Sequence, residues 1–534
     1  MTPTYNWDFP YPSQRMPVLA KNVVATSQPL AAQAGLQMLA KGGSAIDAAL
    51  AAAITLTVVE PTGNGIGSDV FAIIWDGKSL VGLNASGRSP AGWTPERYRG
   101  QSAMPVLGWD AVTVPGCVSA WVALSERYGK LPFEDLFEAA IRYAREGFMV
   151  SPITSASWAR QAPNFKGFSE FSWTFLPKDR APFPGERFYC PQQAETLEEI
   201  AATRGESFYR GELAERIALA SQADDGAMTA QDLAQHQCDW VDPISIDYRG
   251  FRVHEMPPNG QGIAALMALG ILRNFDLASH RVDSADSLHL QIEAMKLAFA
   301  DTWAYVSDPA TMRLTPAAML DDAYLAKRAK TIDLKRAQPF APGEPREGGT
   351  VYLTTADESG MMVSFIQSNY MGFGSGVVVP GTGISMQNRG AGFSLKPGHP
   401  NLVAPSKRPF QTIIPGFLTQ DGKPLMSFGV MGGNMQPQGH LQTLVRMLHH
   451  GQQPQAACDA PRWKVATGRA IDFEHTMAPA LVDGLRALGH QSEATVDPYM
   501  DFGSGQFIWR LSDDAADGYV AASDSRRDGQ AVGY

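Results

Sequence analysis

Glu347-Gly348-Gly349-Thr350-Val351-Tyr352-Leu353-Thr354-Thr355-Ala356-Asp357-Glu358-Ser359-Gly360-Met361-Met362-Val363-Ser364-Phe365-Ile366-Gln367-Ser368 carries two apolar, alternating runs separated by Asp357-Glu358-Ser359-Gly360. This pattern predicts a β-hairpin with Thr350 as the first strand residue. Two glycines precede Thr350, so no Cβ blocks approach to the Gly349 carbonyl. A hydroxyl there can attack that carbonyl and exchange the peptide for an ester, and hydrolysis would leave Thr350 as a new N-terminus. Its α-amine, with an ordinary pKa of roughly 7.7 to 8.0, could then act as base for its own hydroxyl. Threonine also favours strands for packing reasons, so an ordinary strand threonine is the competing reading.

Other stretches lie around this hairpin in a fixed order. Leu30 to Leu56 is alanine-rich and interrupted by Lys41-Gly42-Gly43-Ser44, which predicts a helix, a glycine stop, a Ser44 cap and a second helix. Glu60-Pro-Thr-Gly-Asn-Gly-Ile-Gly67 is too glycine-rich for a regular element, and no Lys-Ser/Thr follows it to make a phosphate cradle. A hairpin is expected over Val70 to Leu83, helices over 117–147, 192–236 and 286–303, and a turn at Pro257 to Gly262 before a helix from Ile263. Residues 328–349 hold Pro339, Pro342 and Pro345 and read as an exposed, mobile tail leading to the cut.

The chain has 44 basic and 54 acidic residues, a net charge of −10, which argues against a nucleic-acid footprint. Cys117, Cys190, Cys238 and Cys458 are far apart and lack CxxC spacing, so neither a zinc site nor a disulfide framework is expected. The first residues lack a basic segment followed by an apolar core, and the run Ala45 to Val59 contains Asp47 and is too short to span a bilayer. The expectation is a cytoplasmic protein that engages neither membrane nor nucleic acid and needs no metal or organic cofactor.

Together, Ala34 to Ala49, Glu60 to Gly67, Val114-Pro-Gly116, Ala144-Arg-Glu-Gly147, the Thr350 hairpin, Lys407-Arg-Pro409 and Met431-Gly432-Gly433 resemble the γ-glutamyltransferase family of N-terminal-nucleophile hydrolases. The resemblance implies an α/β fold of four layers, the αββα sandwich, with two stacked, mainly antiparallel sheets covered by helices. Residues 1–349 and 350–534 would be a large and a small subunit sharing one core after cleavage between Gly349 and Thr350. They would form a heterodimer, and pairing of two such units would give a heterotetramer.

The resemblance further implies that Ser368 hydrogen-bonds the nucleophile and that Gly432 and Gly433 bind the oxyanion through their N–H groups. It makes the substrate pocket depart from the family. The aspartate that holds a substrate α-amino group falls at Gly392, supporting polar positions at Tyr370 and Arg389, and a serine pair at Gln411-Thr412. Asn388 belongs to the same group of substrate-binding candidates. The family's carboxylate-binding arginine falls at Ser86, and Arg88 stands two residues later, roughly 6 to 7 Å along an extended segment. Arg389 in place of a neutral residue turns the pocket towards carboxylates. The expected enzyme is a self-processing threonine amidohydrolase of small carboxylate-bearing amides, with oxamate the first candidate. Glutathione hydrolase or γ-glutamyltransferase activity and glutaryl-cephalosporin acylase activity are alternatives, as is an uncleaved metabolite-binding pseudoenzyme.

Overall fold

A computed structural model describes residues 14–340, 349–495 and 501–534. The Thr350 strand, Gly349–Ala356, turns at Asp357 to Gly360 and returns as Met362–Tyr370, antiparallel with Leu353 opposite Phe365. Its alternation has two destinations. Val351, Leu353, Val363 and Phe365 pack into a core roofed by helices, whereas Tyr352, Ala356, Met362 and Ile366 pack into a second core between two sheets. Period-2 patterning with both faces apolar is what a strand buried on both sides requires.

The hairpin sits at the centre of one seven-stranded sheet, in spatial order Gln530–Gly533, Val23–Thr26, the Thr350 strand, the return strand, Asp69–Trp75, Leu80–Ala85 and Asp239–Val241. The facing sheet runs Val18–Ala20, Tyr519–Ser523, Ser504–Arg510, Lys423–Met431, Gly416–Gln420, Phe251–Glu255 and Ile244–Tyr248. Every strand pairing in both sheets is antiparallel. Helices Ala45–Val59 and Cys117–Tyr128 cover the first sheet, and Gly262–Leu272, Ala285–Tyr305 and Met435–His450 cover the second. The layers are therefore helix, sheet, sheet, helix.

Local signals explain several boundaries. Ser44 accepts from the Asp47 N–H while Asp47 accepts from the Ser44 N–H, a reciprocal cap that starts the Ala45–Val59 helix. Thr229 and Asp232 do the same for Ala230–Ala234. The stretch 117–147, expected to be helical, is two helices, Cys117–Tyr128 and Glu138–Glu146, joined through a short 3₁₀ turn, Phe133–Phe137, with no side-chain cap.

The Pro-rich tail needs a correction. Residues 330–340 do not hang free: the Ala337 N–H donates to Leu488 O at 2.6 Å, and Lys296 Nζ donates to Gln338 O at 2.6 Å. Composition read this segment as a linker because proline and charge dominate it, but its backbone groups find partners on the Ala285–Tyr305 helix and beside the Pro479–Ala487 helix. The remainder of the expected tail, residues 341–348, lies outside the described residues. Among the described residues no helix is long and apolar enough to cross a membrane. The four cysteines are free thiols, Cys238 half-buried and the others buried.

Candidate active site

Thr350 is only 4% exposed, so its hydroxyl is largely screened from solvent. Its Oγ1 lies 3.1 Å from Ser368 Oγ, which itself accepts the Tyr370 N–H at 2.8 Å. The register between the hairpin strands slips between Gly349 and Val351, and this irregularity sits at the threonine. A bulge at a strand end can re-aim a side chain without unzipping the sheet. Tyr370 closes the strand at φ +79°, a conformation an L-residue rarely adopts.

The glycine-rich loop after the Ala45–Val59 helix forms one wall. A Cβ on Gly63 would stand 3.2 Å from the Thr350 nitrogen, so backbone presses directly on the nucleophile there. Gly63 O accepts the Asn369 N–H at 3.2 Å, and Ser68 Oγ donates to Asn369 Oδ1 at 2.8 Å, tying the loop to the return strand.

Gly432 (φ +119°) and Gly433 (φ +58°) make the turn from the strand Lys423–Met431 into the helix Met435–His450. Both conformations favour glycine. A Cβ at Gly432 would also meet the Gly503 Cα at 2.9 Å. Neither N–H is engaged by another described residue. They stand at a helix N-terminus, where the positive end of the backbone dipole favours developing negative charge. Gln261, missed at the sequence level, secures this turn: its Nε2 donates to Gly433 O at 2.9 Å and to Thr412 O at 2.6 Å. Gln261→Ala should lower kcat by about tenfold, the worth of one to two buried hydrogen bonds. Steady-state kinetics on a protein with unchanged thermal unfolding would check this.

Arg389 is 1% exposed. Nη1 donates to Thr412 Oγ1 at 2.8 Å, the guanidinium lies 4.8 Å over the Tyr370 ring, and Nε and Nη2 have no hydrogen-bond partner among the described residues. Burial pulls its pKa down to about 10, opposed by Asp69 and Tyr370, so it remains a cation near neutrality. Asp69, at the start of the neighbouring strand, is the countercharge that sequence reading overlooked. Burial pushes it up to about 6 against the pull of Arg389, and it accepts from Gln411 Nε2 at 2.8 Å and the Gly87 N–H at 3.2 Å. Asn388 holds the Met371 N–H and Val106 O.

Thr350 and Asn388 line a cavity of about 490 Å³; Tyr370, Gly392 and Asn434 line a second of about 760 Å³. Arg389, Gln411 and Thr412 are buried behind Tyr370 and line neither cavity, and Arg88 is brought to neither. It is half-exposed, its Nη1 lies 3.2 Å from Asp308, and it lines a separate cavity of about 150 Å³ with His236. Ser86, the position of the family's arginine, is buried against Asn84 and Asn259. The two-residue shift thus leaves the guanidinium in a different cavity from Thr350.

A model of the gamma-glutamyltranspeptidase family matches residues 31–534. The chain belongs to the gamma-glutamyltranspeptidase family. It is 37% identical to the glutathione hydrolase-like YwrD proenzyme of Bacillus subtilis, over 96% of this chain and 98% of that protein. It is 36% identical to the oxamate amidohydrolase proenzyme of Klebsiella pneumoniae, over 95% and 97%. The crystal structure of cephalosporin acylase from Bacillus halodurans superposes with a TM-score of 0.95 at 48% identity, covering 100% of this chain and 99% of that one. The fold is therefore that of the N-terminal-nucleophile hydrolases, and the protein is an amide hydrolase of the gamma-glutamyltranspeptidase family.

Within this family frame, the Thr350 to Ser368 contact gives one further expectation. Ser368→Ala removes the hydroxyl that touches Thr350 Oγ1 and that accepts the buried Tyr370 N–H, and losing such a hydrogen bond costs about 1 to 3 kcal/mol. Maturation and turnover should both slow by about tenfold, followed by gel time course and initial rates.

Proposed function

We propose that the chain cuts itself between Gly349 and Thr350 and that the freed Thr350 hydrolyses monoamides of dicarboxylic acids. In maturation, Thr350 Oγ1 adds to the Gly349 carbonyl carbon, the peptide C–N bond breaks, and water hydrolyses the resulting ester. In turnover the same oxygen attacks the substrate amide carbon while the α-amine takes its proton. The Gly432 and Gly433 N–H groups hold the oxyanion. The amine leaves with the proton, and water releases the acid. The relatives named as proenzymes support the maturation step.

The observation that carries the substrate reading is Arg389. A buried cation with two unpartnered nitrogens is costly, and a carboxylate would satisfy both in the bidentate geometry guanidinium favours. Gly392 offers nothing to hold an α-ammonium, which argues against a γ-glutamyl head. Oxamate satisfies this chemistry. The cavities of about 490 and 760 Å³ nevertheless match drug-sized ligands, and oxamate would leave most of that space to water. A glutaryl-sized acyl group on a bulky amine fills them better, and the likeness to cephalosporin acylase supports that choice.

A hydrolysis panel of glutaryl amides, oxamate and glutathione tests the reading. Glutaryl amides should give the highest kcat/KM and glutathione the lowest. Arg389→Ala should cost the anionic acyl groups about 10- to 100-fold, from the loss of charge-assisted hydrogen bonds, and a neutral amide of similar size much less. Equal losses on both, or glutathione as best substrate, would overturn the pocket assignment.

A further inference from the structure

The turn carrying Gly432 and Gly433 has two arms, the strand Lys423–Met431 that enters it and the helix Met435–His450 that leaves it. Pairing of this strand with Gly416–Gln420 ends where Phe428 stands opposite Gly416. Val430 lies beyond that point and is fully buried, so its N–H needs an acceptor from elsewhere. His440, on the second turn of the helix, supplies it: the Val430 N–H donates to His440 Nε2 at 3.1 Å. Because Nε2 accepts, the imidazole proton sits on Nδ1, which donates to Glu255 Oε1 at 2.6 Å. Glu255 and His440 are both fully buried, and the Phe428 ring meets the imidazole edge-on with centroids 4.9 Å apart. Gly439 brings the helix down onto the strand, since a Cβ there would stand 2.5 Å from Val430 Cγ1.

We propose that His440, held by Glu255, is a positioning residue for this turn: it locks the strand arm to the helix arm and so fixes where the Gly432 and Gly433 N–H groups point. The inference rests on the reading of those two groups as oxyanion donors. Gln261 ties Gly433 O to the Thr412 backbone from outside the turn, whereas His440 joins the turn's own two arms. Glu255, at the end of the strand Phe251–Glu255, sets the tautomer and the plane of the ring through Nδ1, so that the Nε2 lone pair faces Val430. Oxyanion donors act by being aimed before charge develops, and a displacement of about 1 Å in a catalytic group can cost about 100-fold in rate. A bond that holds the two arms in register therefore bears on kcat without touching the substrate.

Two substitutions separate the two bonds of the imidazole. His440→Gln can place Oε1 where Nε2 stood and keep an acceptor for Val430, whereas His440→Asn reaches only as far as Nδ1 and keeps the donor to Glu255. Both lose the ring contact with Phe428, so both should unfold at a lower temperature than wild type. Steady-state kinetics with the best substrate of the hydrolysis panel then tell them apart. His440→Asn should lower kcat by about 10- to 100-fold with KM changed less than about threefold, and His440→Gln should stay within about threefold of wild-type kcat. Gly439→Ala wedges the arms apart at Val430 with His440 in place and should lower kcat as His440→Asn does, which keeps the test open if the latter fails to fold. Equal kcat losses in the Gln and Asn variants, losses confined to KM, or an unchanged kcat in His440→Asn would overturn the lock. A Gly433→Ala protein with full kcat would instead remove the oxyanion reading itself, so the two failures are distinguishable.

Discussion

Thr350→Ala protein should run as one 534-residue chain and hydrolyse amides on the order of 10⁴-fold more slowly than wild type, or worse, as expected when a covalent nucleophile is removed. Wild type should separate into fragments of 349 and 185 residues. The substitution takes away the one oxygen that both proposed reactions use, while the strand pairing, which runs through backbone groups, is kept. Thr350→Ser is the informative companion. It keeps an attacking oxygen but loses the methyl that stiffens χ1, so it should mature and turn over at a reduced rate. A denaturing gel and an initial-rate assay on the three proteins give both readouts.

Gly433→Ala should lower kcat by about 100- to 1,000-fold, far more than Ser368→Ala. At φ +58° alanine is strained, and relief of that strain rotates the N–H to which the proposed mechanism assigns the oxyanion. The same rotation disturbs the carbonyl that Gln261 holds. KM should change little, because the donors act on charge that develops in the transition state. Comparable small losses at Gly433 and Ser368 would remove the turn from the catalytic account. Gly432→Ala is a weaker test, since its new Cβ would also collide with Gly503 backbone and unfold the turn for steric reasons alone.

Which features were legible in the sequence follows from how local their causes are. The Thr350 hairpin, the Ser44 cap and the helix Ala285–Tyr305 each announce themselves within one stretch, through period-2 alternation, a capping residue or 3.6 periodicity. The approach of Ser368 to Thr350 also follows locally, because a tight hairpin folds the return strand back beside its start. Asp69 and Gln261 gave no such signal. Each is a polar residue in a stretch whose pattern is dominated by strand, turn or helix end, and its importance arises only when elements more than a hundred residues apart meet. Their buried, hydrogen-bonded state is not encoded in spacing. Arg88 shows the opposite error, in which closeness along the chain to the family's arginine suggested equivalence while Asp308, 220 residues away, draws the side chain elsewhere. The segment before the cut misled through composition, since proline and charge say nothing of the backbone partners that Lys296 and Leu488 supply.

The central claim is that Thr350 becomes an N-terminus and carries the acyl group, and intact-mass spectrometry of protein acid-quenched during turnover of a glutaryl amide tests it most directly. The account predicts two masses, the 349-residue fragment unchanged and the 185-residue fragment beginning at Thr350 present partly with one added glutaryl group. A single 534-residue mass in a preparation that turns over at full rate, or an acyl group carried on the larger fragment, would contradict it.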